Sequence, residues 1–316
     1  MNPIPQFGVY LPQVNVDFPT LAEITTLSET LGYNSAWLFD HLVSLSNPRD
    51  AVLECWTTLS ALAPLTKRIR LGPLVLCNSF RHPSVVAKMA ATLDVISNGR
   101  LNFGIGAGWY RPEYEAYGIP FPNASSRISQ LVEAVQLMKK MWTEEISNVT
   151  GKHYSLCNAV CYPKPVQNPH PPIWIGVMIG RKRMIRAVGQ YADGWTISSL
   201  YLPTPDEYAE YLHTVRKQLA IHHRRVDEVK NAIGVGCLIA ENHRLLKKKQ
   251  QKYKPGKVSI DAYQAVQPQL IGTPEDLVEQ ILAYVDRGVT HFLLNFPDIR
   301  ETKSLILFAE RVIQAI

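Results

Sequence analysis

The chain has 316 residues, 46% of them hydrophobic, and a formal net charge of +6, enough for one large α/β domain or two smaller ones. It has no apolar run of about 18 residues, which argues against a membrane span. The opening "MNPIPQFGVYLPQ" lacks the basic-then-apolar pattern of a secretory signal.

In chain order, short apolar runs alternate with longer amphipathic ones. "FGVYLP" precedes "TLAEITTLSETLGY", "SAWLFDHL" precedes "ECWTTLSALAPLT", and "IRLGPLVLC" precedes "SVVAKMAATLDVIS". Next come "LNFGIGAG" with "RISQLVEAVQLMKKMWT", "IWIGVM" with "RKRMIRAVGQYA", and "GWTISSL" with "PDEYAEYLHTVRKQLA". "NAIGVGCLIA" with "PEDLVEQILAYVDRGV" and "HFLLNFP" with "ETKSLILFAERVIQAI" complete eight pairs. The strands are near-continuously apolar, as strands buried on both faces are. The helices repeat apolar residues every three or four positions, as at Leu131, Val135, Met138 and Trp142. Eight such units predict a single (β/α)8 TIM barrel spanning 1–316, with a doubly wound open sheet as the alternative. The Pro-rich residues 148–172 predict an insertion at the barrel rim after the fourth helix, with room for a small hairpin.

The five cysteines, Cys55, Cys77, Cys157, Cys161 and Cys237, are scattered and odd in number, which fits a reduced, cytoplasmic protein. Cys157 and Cys161 have a C-x3-C spacing without a second ligand pair, so no metal is expected. Charge is concentrated in residues 213–257, which hold 12 Lys/Arg against 3 Asp/Glu. No aromatic platform accompanies it, so a solvated face is expected rather than a nucleic-acid site.

In a barrel of this kind, chemistry sits at the C-terminal strand ends. Asp40 and His41 end the second strand, and a histidine there can exchange protons near neutral pH. A surface acid beside a structural histidine is the competing reading. Gly104, Gly106 and Gly108 do not make a dinucleotide fingerprint, because Trp109 and "YRPEYEAYGIPFP" follow in place of a helix start. Glycines at a strand end also let a flat ring approach the backbone. Gly176, Gly180 and the basic Arg181, Lys182 and Arg183 suit an anion site at a helix N-terminus, or else a basic first turn facing solvent.

Two long segments carry a resemblance, "ECWTTLSALAPLTKRIRLGPLVLCNSFRHPSVVAKMAATLDVISNGRLNFGIGAGWYRPEYEAYGIPFP" and "YPKPVQNPHPPIWIGVMIGRKRMIRAVGQYADGW", together with "DH" at 40–41. The chain resembles the luciferase-like monooxygenase superfamily, within it the branch of probable coenzyme F420-dependent oxidoreductases. The resemblance implies a homodimer of TIM barrels, each binding coenzyme F420 or FMN at the strand ends and acting on a small molecule. It implies that Asp40 contacts the deazaflavin and that His41 is a proton donor or ring neighbour. It further implies a bulge with a non-prolyl cis peptide at Leu74-Val75 behind the ring. Cys77, Asn78, Ala107, Gly108 and Trp109 map to cofactor-contacting positions, Ile179, Gly180 and Arg181 to the phosphate loop, and Arg127 to an arginine near the phosphate. Relatives acting on sugar phosphate carry glutamate at the place of Trp109 and asparagine at the place of Pro112, so a sugar-phosphate dehydrogenase is not expected. Tyr10, Trp37, Trp109 and Tyr110 suggest an aromatic pocket for an apolar or conjugated substrate. With FMN the chain would be a monooxygenase, and a non-catalytic flavin-binding barrel is the non-enzyme alternative.

Overall fold

The computed structural model describes residues 4–178, 182–197, 202–253 and 269–316. Twelve strands occur among them: β1 (Gln6–Tyr10), β2 (Ser35–Leu38), β3 (Arg70–Pro73), β4 (Leu76–Cys77), β5 (Phe103–Gly106), β6 (Ser147–Thr150), β7 (Ser155–Ala159), β8 (Ile173–Val177), β9 (Gly194–Ile197), β10 (Lys230–Ile239), β11 (Leu270–Gly272) and β12 (His291–Asn295). The helices are α1 (Phe18–Thr30), α2 (Cys55–Leu62), α3 (Pro83–Ile96), α4 (Arg111–Ala116), α5 (Ala124–Thr143), α6 (Lys182–Tyr191), α7 (Pro205–Ile221), α8 (His243–Lys252), α9 (Pro274–Val285) and α10 (Lys303–Arg311).

The main sheet runs β3-β2-β1-β12-β10-β9-β8-β5-β4, all pairs parallel. Its two ends meet: Leu71 N–H donates to Arg100 O at 3.0 Å, and Asn102 N–H donates to Leu71 O at 2.8 Å. The fold is therefore the expected TIM barrel, with β3 and β4 as two halves of its third strand. The expected rim hairpin is present as the antiparallel pair β6–β7.

Two layers of core follow from strand alternation. Outward-facing residues such as Val9, Leu38, Leu71 and Ile105 pack under the helices. Inside the barrel lie Tyr10, Trp37, Leu74, Trp174, Ala232 and Leu293. Trp37 and Trp174 meet edge to face at 5.6 Å, and Trp37 Nε1 donates to Ser35 Oγ at 2.8 Å. Trp37 thus fills the barrel beneath the strand ends and does not wall the pocket, contrary to the sequence reading. Its neighbours on the next pleats, not its size, decide where it points.

Two stretches differ from the sequence reading. "YRPEYEAYGIPFP" does open a helix, α4, with Pro112 in its first turn and Glu113 beside it. Proline is favoured there, because the first-turn N–H groups have no intrahelical partner to lose. In the basic segment α7 and α8 form, and α8 is anchored by Lys249, whose Nζ donates to Ile239 O, Asp298 Oδ2 and Ser304 Oγ at 3.0, 2.6 and 2.7 Å. At least one lysine of the run is thus a partly buried strut and not a solvated charge.

The third strand is interrupted at Leu74-Val75, whose peptide is cis. β3 pairs with β2, and beyond the break β4 pairs with β5. The glycines of the neighbouring strands make space for this interruption. A Cβ on Gly104 would lie 2.0 Å from Pro73 O, and a Cβ on Gly106 would lie 2.7 Å from Val75 Cγ2. Gly176, across in β8, would meet the same Val75 methyl at 2.9 Å. The glycine run therefore first serves the protein's own backbone and the Val75 side chain. Gly106→Ala is expected to destabilise the fold by roughly 1–3 kcal/mol through overpacking. Adding Val75→Ala should recover much of that loss, so a double-mutant cycle by urea denaturation should show coupling; additive effects would contradict the contact.

Candidate active site

The strand ends surround one cavity, whose wall includes Asp40, His41, Leu74, Val75, Cys77, Ala107, Gly108, Trp109 and Arg127. Nine sequence-predicted positions are thus brought together. Asn78 is not among the lining residues; its carboxamide donates to Tyr154 Oη of the rim insertion at 3.2 Å. Ile179, Gly180 and Arg181 lie outside the described residues. Tyr10, Tyr110, Glu113, Tyr114, Val177 and Met178 also line it.

Asp40 is almost fully buried and ties the ends of the second and third strands together. Its Oδ2 accepts from Cys77 N–H at 2.8 Å. Arg81 donates to both of its oxygens, each at 2.9 Å. Arg81 also pairs with Glu54, and Glu54 caps α2 by accepting from Trp56 N–H at 3.1 Å and Thr57 N–H at 2.7 Å. Burial pushes the Asp40 carboxyl up from its ordinary range, while the Arg81 hydrogen bonds and charge and the Cys77 N–H pull against it. Burial disfavours the Arg81 charge, but Asp40 and Glu54 outweigh it and raise its pKa. At Glu54 burial is likewise overcome, there by the cap hydrogen bonds and Arg81, and its pKa is lowered.

His41 sits on the opposite side of the same loop. Its Nδ1 lies 2.9 Å from Glu113 Oε2. The other Glu113 oxygen accepts from the backbone N–H groups of Leu42 and Val43, the latter at 3.1 Å. Both side chains are buried. Trp109 and Tyr110 stand edge-on to the imidazole, with ring centroids 5.8 and 6.1 Å away. Sequence reasoning passed over Glu113, as it passed over Arg81. Proline followed by an acidic residue is a helix-start signal that would have placed Glu113 on α4.

Cys77 Sγ lies 2.9 Å from Tyr114 Oη. Burial pushes the Cys77 thiol up to about 12, against the Tyr114 hydrogen bond. It therefore stays a neutral thiol near pH 7 and is no nucleophile there. Gly108 has φ +73, and a Cβ on it would lie 1.8 Å from Tyr114 Oη. Only glycine takes that backbone conformation in that space.

One end of the cavity is positive. Arg127 projects from the first turns of α5, donates through Nε to Gly108 O at 3.3 Å and through Nη1 to Pro122 O, and stacks over the Phe121 ring at 4.0 Å. Arg183 of α6 reaches Ser125 beside it. The N-terminus of a 20-residue helix and two guanidinium groups suit an anionic ligand group. Among the described residues, no group of three or more His, Cys, Asp or Glu is placed to hold a metal ion. Nor is any helix among them long and apolar enough to cross a membrane.

The chain belongs to the luciferase-like monooxygenase family, whose sequence model matches residues 5–269. It is 25% identical to a protein of Amycolatopsis mediterranei named F420-dependent glucose-6-phosphate dehydrogenase, over 93% of each chain. A Mycobacterium protein named phthiodiolone/phenolphthiodiolone dimycocerosates ketoreductase is 34% identical over 220 residues, 62% of this chain and 56% of that one. Among solved structures, an F420-dependent secondary alcohol dehydrogenase in complex with an F420-acetone adduct superposes with a TM-score of 0.81. That likeness covers 97% of this chain and 98% of the other at 18% identity, and it bears on the fold alone.

The Asp40 clamp has a measurable consequence. Arg81→Met leaves a buried carboxylate without its counter-ion and is expected to cost about 3–5 kcal/mol at pH 7. Because losing Arg81 lets burial raise the folded-state Asp40 pKa further, the deficit should shrink as pH falls and Asp40 takes up a proton. Denaturation midpoints from pH 7 to pH 5 check this; a constant deficit would contradict it.

Proposed function

We propose that this protein is a coenzyme F420-dependent oxidoreductase acting on a small apolar or conjugated carbonyl compound or the corresponding alcohol. The observation that carries the reading is the lining of the cavity at the strand ends, which brings together apolar Leu74, Val75 and Ala107, the histidine His41 and the cation Arg127. The name of the Amycolatopsis relative supports the choice of cofactor. The cavity suits the group: the interrupted third strand presents a broad apolar surface, and Arg127 with the first turn of α5 offers N–H donors and positive charge for a phosphate.

Bound there, F420 supplies two-electron hydride chemistry at C5 of its deazaflavin ring. Leu74 and Val75 would back the ring, and the Asp40–Cys77 N–H bond would hold that wall in place. Trp109 and Tyr110 would close over the substrate and exclude water. His41 would give a proton to the substrate oxygen, or take one from it, through Nε2, since Nδ1 is engaged by Glu113. The aromatic wall favours an apolar or conjugated substrate. Among the described lining residues Arg127 is the one Lys or Arg. The homodimer expected from the sequence rests on the family likeness, and the cytoplasmic location on composition.

Reduced F420 mixed with 2-cyclohexen-1-one, followed by the return of oxidised-cofactor absorbance, tests the reading. Wild-type protein should turn over. His41→Ala should lose about 10²–10⁴-fold in kcat while binding F420 nearly as tightly. Equal turnover by the two proteins would remove His41 from the reaction.

A further inference from the structure

We propose that Glu113 is the positioning residue of His41: it fixes which imidazole nitrogen carries the proton and locks the ring edge toward the cavity. The argument is one of donors and acceptors. A carboxylate only accepts. One Glu113 oxygen already receives the N–H groups of Leu42 and Val43, and the other faces His41 Nδ1 at 2.9 Å. Nδ1 must then be the donor, so in the neutral ring Nε2 holds the lone pair. The two backbone bonds come from the residues directly after His41. Glu113 therefore holds the histidine and the loop that carries it with the same side chain.

That carboxylate is borne by α4, whose leading residues Trp109 and Tyr110 face the imidazole edge-on. The substrate wall and the proton-transfer group are thus joined by one buried contact between segments 72 residues apart in sequence. A substrate pressed against the two aromatic rings meets a histidine whose tautomer is already set. An acid that orients a histidine in this way acts on rate through the tautomer, with little effect on binding.

Glu113→Gln separates this from a merely structural role. The carboxamide oxygen can keep the Leu42 and Val43 bonds, so its NH2 group turns to Nδ1. Nδ1 then becomes the acceptor and the proton moves to Nε2. Long-range proton–nitrogen NMR on histidine-labelled protein without ligand, with the pH raised until the His41 nitrogen shifts stop changing, reads this directly, with His41→Ala giving the assignment. Wild type should show Nδ1 protonated, and Glu113→Gln should show the reverse. With oxidised F420 and 2-cyclohexen-1-ol, the direction in which Nε2 must accept the hydroxyl proton, kcat should fall by at least about 10-fold while the F420 dissociation constant and the alcohol KM stay within about twofold. A wild-type protein with Nε2 protonated would overturn the proposal, whatever the variant does. So would a variant with unchanged tautomer or unchanged kcat. The kinetic arm rests on the oxidoreductase reading and the NMR arm does not. A wild type that fails to turn over F420 while showing the expected tautomers would therefore sink that reading and leave Glu113's hold on His41 standing.

Discussion

The packing of Val75 against Gly106 and Gly176 governs the mouth of this barrel. The third strand divides into β3 and β4, and the side chain at the division needs a slot. β5 and β8 supply it by having no side chain at the two facing positions. Gly104 does the same for the Pro73 carbonyl. Once the strand is divided, its second half needs another tether, because β4 is only two residues long. Asp40 provides one by accepting the Cys77 N–H, and Asn78 N–H adds a bond to Gly106 O at 3.0 Å.

The buried charges follow from that arrangement. Two carboxylates lie among the cavity residues, and each spends its oxygens on backbone N–H groups as well as on one basic side chain. Asp40 bridges the second strand to the third; Glu113 bridges the loop after β2 to the helix after β5. Buried carboxylates left unpaired would be costly, and both are paired, with Arg81 and with His41. The scaffold thus holds the histidine from one side and the cavity wall at Leu74-Val75 from the other. The aromatic pair between them is the part left partly open to solvent, with Trp109 42% exposed.

The barrel and its strand ends were legible because parallel strands buried on both faces write long apolar runs, and the residues that stop those runs are Asp40-His41, Cys77 and Ala107. The division at Leu74-Val75 came from the family likeness and not from any pattern in "RLGPLVLC". Trp37 was misplaced because strand alternation, which composition does not reveal, turns it into the barrel. Glu113 and Arg81 were missed for a different reason. Each acts across a fold-level contact, 72 and 41 residues from its partner, and the helix-start signal of Pro112 beside Glu113 marks a helix without naming that partner. The glycine run was assigned to a ligand when its first duty is to Val75, a contact between strands that sequence spacing does not encode.

A side-by-side fluorescence titration of the purified protein with F420 and with FMN tests the central claim most directly. Both ligands present a flat ring and a phosphate to the same cavity, so the comparison isolates the choice of cofactor. The account predicts saturable F420 binding at least about tenfold tighter than FMN, a difference of about 1.4 kcal/mol. Tighter binding of FMN, or no binding of F420, would contradict it.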